Sequence, residues 1–191
     1  MKILQLVAIA IVGLACIFLP AHKYSIACST SGKVSVANTC ASADLIVRVL
    51  AVKYDKEPEN KSVITTGVPD SKVEFEIKEI LKGDNIQGSI ILNGYLTDKD
   101  DFNDRPVPYD FVRPGGRYGS CFANTYKQGA QYLLFLKRSS EVKWPSVTTK
   151  FTVNFSPLAP VNEQLHSESD PWIFYISGLL AGLERSNKPN K

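Results

Sequence analysis

Residues 72–81, "KVEFEIKEIL", place Val73, Phe75 and Ile77 on one face and Glu74, Glu76 and Lys78 on the other. Successive side chains of an extended chain point to opposite faces, so this period-two alternation predicts a half-buried β-strand. Upstream, residues 53–71, "KYDKEPENKSVITTGVPDS", hold the Pro, Gly, Asn and Asp of a loop. Before that loop, "ADLIVRVLAV" (43–52) is rich in β-branched residues and predicts another strand. Downstream, "KGDNIQG" turns the chain into a third strand, "SIILNGY" (89–95). "AQYLLFLKR" (130–138) and "KFTVNF" (150–155) predict a fourth and a fifth. No helical pattern interleaves these strands, so the expected architecture is all-β with a helix at the end. A small five-stranded closed barrel satisfies every strand edge. The closing helix is read from "DPWIFYISGLLAGLERS" (170–186), where Asp170 is a candidate N-cap, Pro171 fits the first turn and apolar residues follow at helical spacing.

The N-terminus sets the compartment. Residues 3–19, "ILQLVAIAIVGLACIFL", carry no charge and follow Lys2. Their position, the basic start and the small-residue exit Ser25-Ile26-Ala27 predict a secretory signal, residues 1–27, with Cys28 as the first residue of the mature chain. Cys16 then leaves with the signal, and residues 28–191 form one domain with no stable membrane span. The expected location is secreted or extracellular, meaning the periplasm or cell surface if the source is bacterial. Removing residues 1–27 takes away Lys2 and Lys23 and no acid, so the formal charge falls from +3 to +1. Near neutrality argues against an electrostatic nucleic-acid binder. Export permits disulfides among Cys28, Cys40 and Cys121, but three is odd, so one thiol stays free or pairs between chains.

Enzyme chemistry finds little footing. His22 goes with the signal and His166 lies in the polar stretch "NEQLHSESD" (162–170), where it reads as a surface residue. The acids Asp98, Asp100, Asp101 and Asp104 lack EF-hand spacing and read as a solvated loop. "RPGGR" (113–117) has no following helix to make it a phosphate cradle and reads as a turn. No base and nucleophile pair up, and no cofactor is expected. Cys28 is different. A free α-amino group titrates near pH 8, so a useful fraction is neutral and can donate a lone pair to a metal, with the carbonyl of the same residue closing a chelate. A leading cysteine, tied down through its side chain, could cap an open zinc position on another protein.

At these residues the chain resembles the tissue inhibitors of metalloproteinases. "CSTSGKVSVANTCASADLIVRV" (28–49) is similar to the start of their mature chains: a leading cysteine, another about ten residues on, an Ala/Ser-Asp and an Ile/Val-rich strand with Arg. "VEFEIKEILKG" (73–83), "GSCFANTYKQGAQYLLFLKR" (119–138) and "FTVNFSPLAP" (151–160) resemble later segments in the same order. The resemblance implies a netrin-like OB-fold barrel and zinc metalloproteases as partners. It implies that Cys28 faces the protease zinc through its backbone N and O, and that Ser29 enters the S1′ pocket. Thr30 follows on the same edge, and Ser120 and Cys121 form the neighbouring contact ridge. It further implies a Cys28–Cys121 disulfide, whose closure of 93 residues would stabilise by about 4–5 kcal/mol on a chain-entropy argument. Thr30 and Asn154 stand where the family has two cysteines bonded to each other, so one bridge is absent as a pair. Cys40 keeps its family position without a partner after Cys121. Either it is a buried free thiol or it competes for Cys121.

Two functions follow for testing. The first is a secreted inhibitor of zinc metalloendopeptidases acting through Cys28. The second is a non-inhibitory netrin-like module that holds a protein or surface partner through its barrel face and the 96–119 loop. That loop is too long for a hairpin connection and carries Phe102, Tyr109, Phe111 and Tyr118. The same aromatics could instead pack the loop onto the barrel.

Overall fold

The computed structural model describes residues 35–59, 69–117, 121–138, 155–158 and 162–186. The expected signal segment, residues 28–30 and residues 150–154 of the expected fifth strand lie outside the described residues.

Strand β1 (Leu45–Lys56) is central, pairing antiparallel with β2 (Lys72–Lys82) on one side and β6 (Gln131–Arg138) on the other. β3 (Ser89–Asn93) extends the sheet beyond β2, and β7 (Phe155–Pro157) extends it beyond β6, which also pairs with the two-residue β8 (Glu163–Gln164). The alternation of residues 72–81 holds at Val73 and Phe75, which are fully buried, while Ile77 is half-buried and Glu76 and Lys78 are exposed. β6 is buried through Tyr132, Leu133, Leu134, Phe135 and Leu136 because both of its faces are covered, the condition under which a strand reads as a continuous apolar run. Tyr132, Leu134 and Leu136 join Val47, Val49, Val73 and Phe75 in one core. Leu133 and Phe135 turn the other way, onto the two helices.

The expected closed barrel does not form among the described residues. The ladder runs β3-β2-β1-β6-β7 and ends there. β3 and β7 come within 8 Å, Cα to Cα, without pairing. Among the described residues β7 ends in Pro157, which has no N–H to donate to a continuing ladder. What stands is a mainly β architecture with two helices.

The third expected strand, residues 89–95, is also interrupted. The chain breaks at Gly94 and re-forms as β4 (Tyr95–Thr97), paired in parallel with β5 (Thr125–Lys127) in a separate two-stranded sheet. A Cβ at Gly94 would lie 2.5 Å from the Tyr126 ring, so the backbone crosses the core aromatic at a distance only glycine allows.

Helix α1 (Val36–Ser42) starts at Ser35, whose hydroxyl accepts from Asn38 N at 3.3 Å, and buries Val36, Thr39 and Cys40. Helix α2 (Pro171–Ser186) begins as the sequence predicts. Asp170 Oδ1 accepts from Trp172 N at 2.9 Å, its Oδ2 accepts from His166 N at 2.8 Å, and Pro171 opens the first turn. Trp172, Ile173 and Ile176 face the sheet. Among the described residues no helix is long and apolar enough to cross a membrane.

Candidate functional site

The 98–117 loop is organised by Arg113, whose side chain is 0% exposed. Its Nη1 donates to Asp101 Oδ2, its Nε to the Asn162 carbonyl at 3.1 Å, and its Nη2 to the carbonyls of Ala123 at 3.3 Å and Thr125 at 2.8 Å. The guanidinium also lies 5.5 Å from the Tyr126 ring centroid and 5.4 Å from that of Tyr132. A charge taken out of water persists only when paired and hydrogen-bonded, and here carboxylate, carbonyls and aromatic faces share that task. One side chain thereby ties the loop to the segment that follows Cys121.

Asp100, Asp101 and Asp104 of the loop are partnered rather than simply solvated, while Asp98 is exposed. Asp101 Oδ1 accepts from Gly115 N at 2.8 Å, which fixes the 3-10 turn Pro114–Gly116 expected from "RPGGR". Asp100 takes Lys127 Nζ at 2.7 Å and Gln164 Nε2 at 2.5 Å, and these bonds, Lys127 first, hold its carboxyl below the usual range. Asp104 receives two bonds from Arg117, which lower it likewise. Among the described residues no group of His, Cys, Asp and Glu could hold a metal ion. Tyr109 is buried with its ring 4.9 Å from Trp172, and Phe111 lies between the guanidiniums of Arg105 and Arg117 at 5.1 and 5.5 Å. Phe102 stacks on His166 at 4.0 Å, and His166 is exposed, as expected of a surface residue. These aromatics pack the loop onto the body. Tyr118 lies outside the described residues.

Residues 162–165, which the sequence presents as a polar linker, are all buried and form the loop's anchor. Polar letters misled because their partners are remote in sequence. The Asn162 carbonyl receives Arg113, Glu163 Oε1 accepts from Asn103 Nδ2 at 3.0 Å, and Gln164 Oε1 accepts from Asp101 N at 2.8 Å. Burial pushes the Glu163 carboxyl up to about 8, against the lowering pull of Arg113. The sequence presents Arg113 only as the first residue of the turn "RPGGR", and Glu163 only as part of a polar stretch. Arg113 carries a sequence signal in the apolar neighbours of "FVRP", whereas Glu163 lies between polar Asn162 and Gln164 and carries none.

Of the residues the resemblance implicates, Cys28, Ser29, Thr30 and Ser120 lie outside the described residues, and Cys121 lies within them. Cys121 has φ 54°, a left-handed conformation uncommon for a residue with a side chain. It packs beside Phe111 on Val112 and Ala123. A Cβ at Gly116 would sit 2.6 Å from Ala123 N, so the loop lies directly against the backbone two residues past Cys121. Cys40 is free and fully buried in α1, which answers the alternative that it competes for Cys121. Burial pushes its thiol up to about 11 despite nearby Lys82, leaving almost no thiolate at neutral pH.

Comparison with known proteins finds no matching family model, no matching curated protein and no matching solved structure. The functional reading therefore rests on the residues themselves.

Proposed function

We propose that the chain is a secreted inhibitor of zinc metalloendopeptidases, similar to the tissue inhibitors of metalloproteinases and built on a netrin-like OB-fold. In this reading signal removal exposes Cys28, whose amine and carbonyl cap the protease zinc while Ser29 enters the S1′ pocket. Thr30, Ser120 and Cys121 complete the contact edge, and a Cys28–Cys121 bridge holds the leading residue still. A group that must arrive pre-positioned at another protein's metal gains affinity from every freedom removed beforehand.

The observation that carries this reading is the backbone at Cys121. A left-handed φ on a non-glycine residue costs about 1–3 kcal/mol and persists only where its surroundings enforce it, a pattern that clusters at contact sites. Arg113 and Gly116 supply that enforcement from beneath. Two further facts agree. Cys40 is sequestered, which leaves Cys121 to Cys28, and the strand order β3-β2-β1-β6-β7 with neighbouring edges suits a five-stranded, partly open barrel. The alternative of a loop-borne binding module is less well supported, because Tyr109 and Phe111 are occupied in packing.

The test is a single added residue. The mature protein beginning at Cys28 is expected to inhibit a zinc metalloendopeptidase, and the same protein with one alanine before Cys28 is expected to lose at least about a hundredfold in affinity. Equal inhibition by both proteins overturns the chelation reading.

A further inference from the structure

Glu163 sits where a negative charge is hard to keep. Its side chain is fully buried, Oε1 accepts one hydrogen bond from Asn103, and Oε2 has no hydrogen-bond partner among the described residues. The guanidinium that faces it, Arg113, already pairs with Asp101. A neutral Glu163 leaves this buried group balanced, and an ionised one leaves it with an excess negative charge and an unsatisfied oxygen. Its neighbours Asn162 and Gln164 receive Arg113 and the Asp101 amide, so Glu163 is the middle of the three residues to which the 98–117 loop is fastened.

We infer that Glu163 is the proton-sensitive pin of a latch. While its carboxyl is neutral the 98–117 loop stays clamped to β8, and ionisation of that carboxyl loosens the clamp and the support it gives to residues 121–125. The inference holds whatever the ridge contacts.

The groups facing Glu163 set the sense of the response. From the loop these are Arg113 and Arg117, which favour ionisation, Asp101, which opposes it, the Asn103 amide, and the Tyr109 phenol, itself raised by burial, Asp170 and Glu163. Across the β8–β6 ladder stands uncharged Leu133. Burial outweighs the favourable charges and raises the carboxyl from its ordinary 4.5 to about 8. An acid raised in the clamped state binds its proton more tightly there than when the loop is open. The clamp is therefore strongest at low pH and weakens steadily as pH climbs from about 4.5 to about 8.

Hydrogen exchange of the amides of residues 100–117, corrected for intrinsic rates and followed at pH 6 and pH 8, reads the latch directly. The opening constant of the wild-type protein is expected to rise at least about tenfold between the two pH values, and that of Glu163→Gln to stay level. No rise in the wild type, or the same rise in both proteins, overturns the inference. Should the variant fail to fold, carboxyl-carbon NMR of the wild type decides: a Glu163 midpoint above pH 6 is expected, and one below pH 6 contradicts the latch.

Discussion

On one side of β6, Leu133 and Phe135 pack against Trp172, Ile173 and Ile176 of α2, an interface made almost wholly of carbon. Beside it, the 98–117 loop reaches the same sheet through Arg113, Asp101, Asn103 and Glu163, an interface made of buried charge and directed hydrogen bonds. The apolar interface is non-directional and tolerates some repacking. The polar one is conditional, since each group is stable only while its partner is present and correctly protonated. A scaffold that must hold its bulk steady while fixing one ridge in a strained conformation uses both kinds, and the polar kind lies under the ridge.

Removing the centre of each interface separates the two most sharply. Trp172→Ala and Arg113→Met should each cost about 3–5 kcal/mol, the first by leaving a cavity and the second by taking the cation away from half-buried Asp101 and the buried carbonyls it serves. Thermal unfolding would show losses of about 10 °C in both cases. Their pH dependence should differ. Without Arg113, Glu163 loses the nearby positive charge that opposes its burial, so its carboxyl rises further and stability keeps falling with pH beyond the wild-type limit near 8. The deficit of Trp172→Ala should be nearly constant from pH 5 to pH 9. If both variants show the same flat profile, the contrast between the interfaces is wrong.

A smaller effect tests how the apolar side is held in register. Asp170 caps α2 and also receives the His166 amide, so it joins the helix to the end of the 162–166 anchor. Asp170→Ala should cost about 1 kcal/mol, and Asp170→Asn, which keeps an acceptor at the cap, clearly less. Chemical denaturation resolves the difference. Equal losses for the two substitutions would mean that the cap geometry contributes little.

The apolar half was legible in the sequence because its signals are local. Period two at Val73 and Phe75, a continuous run at 132–136, and Asp170-Pro171 ahead of helical spacing each declare themselves within a few residues. The polar half was not legible because its meaning lies between segments. "NEQL" looks like a linker until Asn103, Asp101 and Arg113, about fifty or more residues away, are set against it. The acids at 100, 101 and 104 look solvated until Lys127, Arg113 and Arg117 come to meet them. The closed barrel was over-read for a related reason. Strand count argues for closure, but among the described residues the ladder ends at β7, whose Pro157 has no N–H to donate. At the ridge, residue type says nothing of a left-handed Cys121, which follows from packing against the loop.

Disulfide mapping of the protein expressed from the full chain, by mass spectrometry without reduction, tests the central claim most directly. The account predicts a mature chain that begins at Cys28, a peptide pair joined through Cys28 and Cys121, and Cys40 recovered as a free thiol. A chain that begins elsewhere, an unlinked Cys28, or a Cys40–Cys121 pair would contradict it.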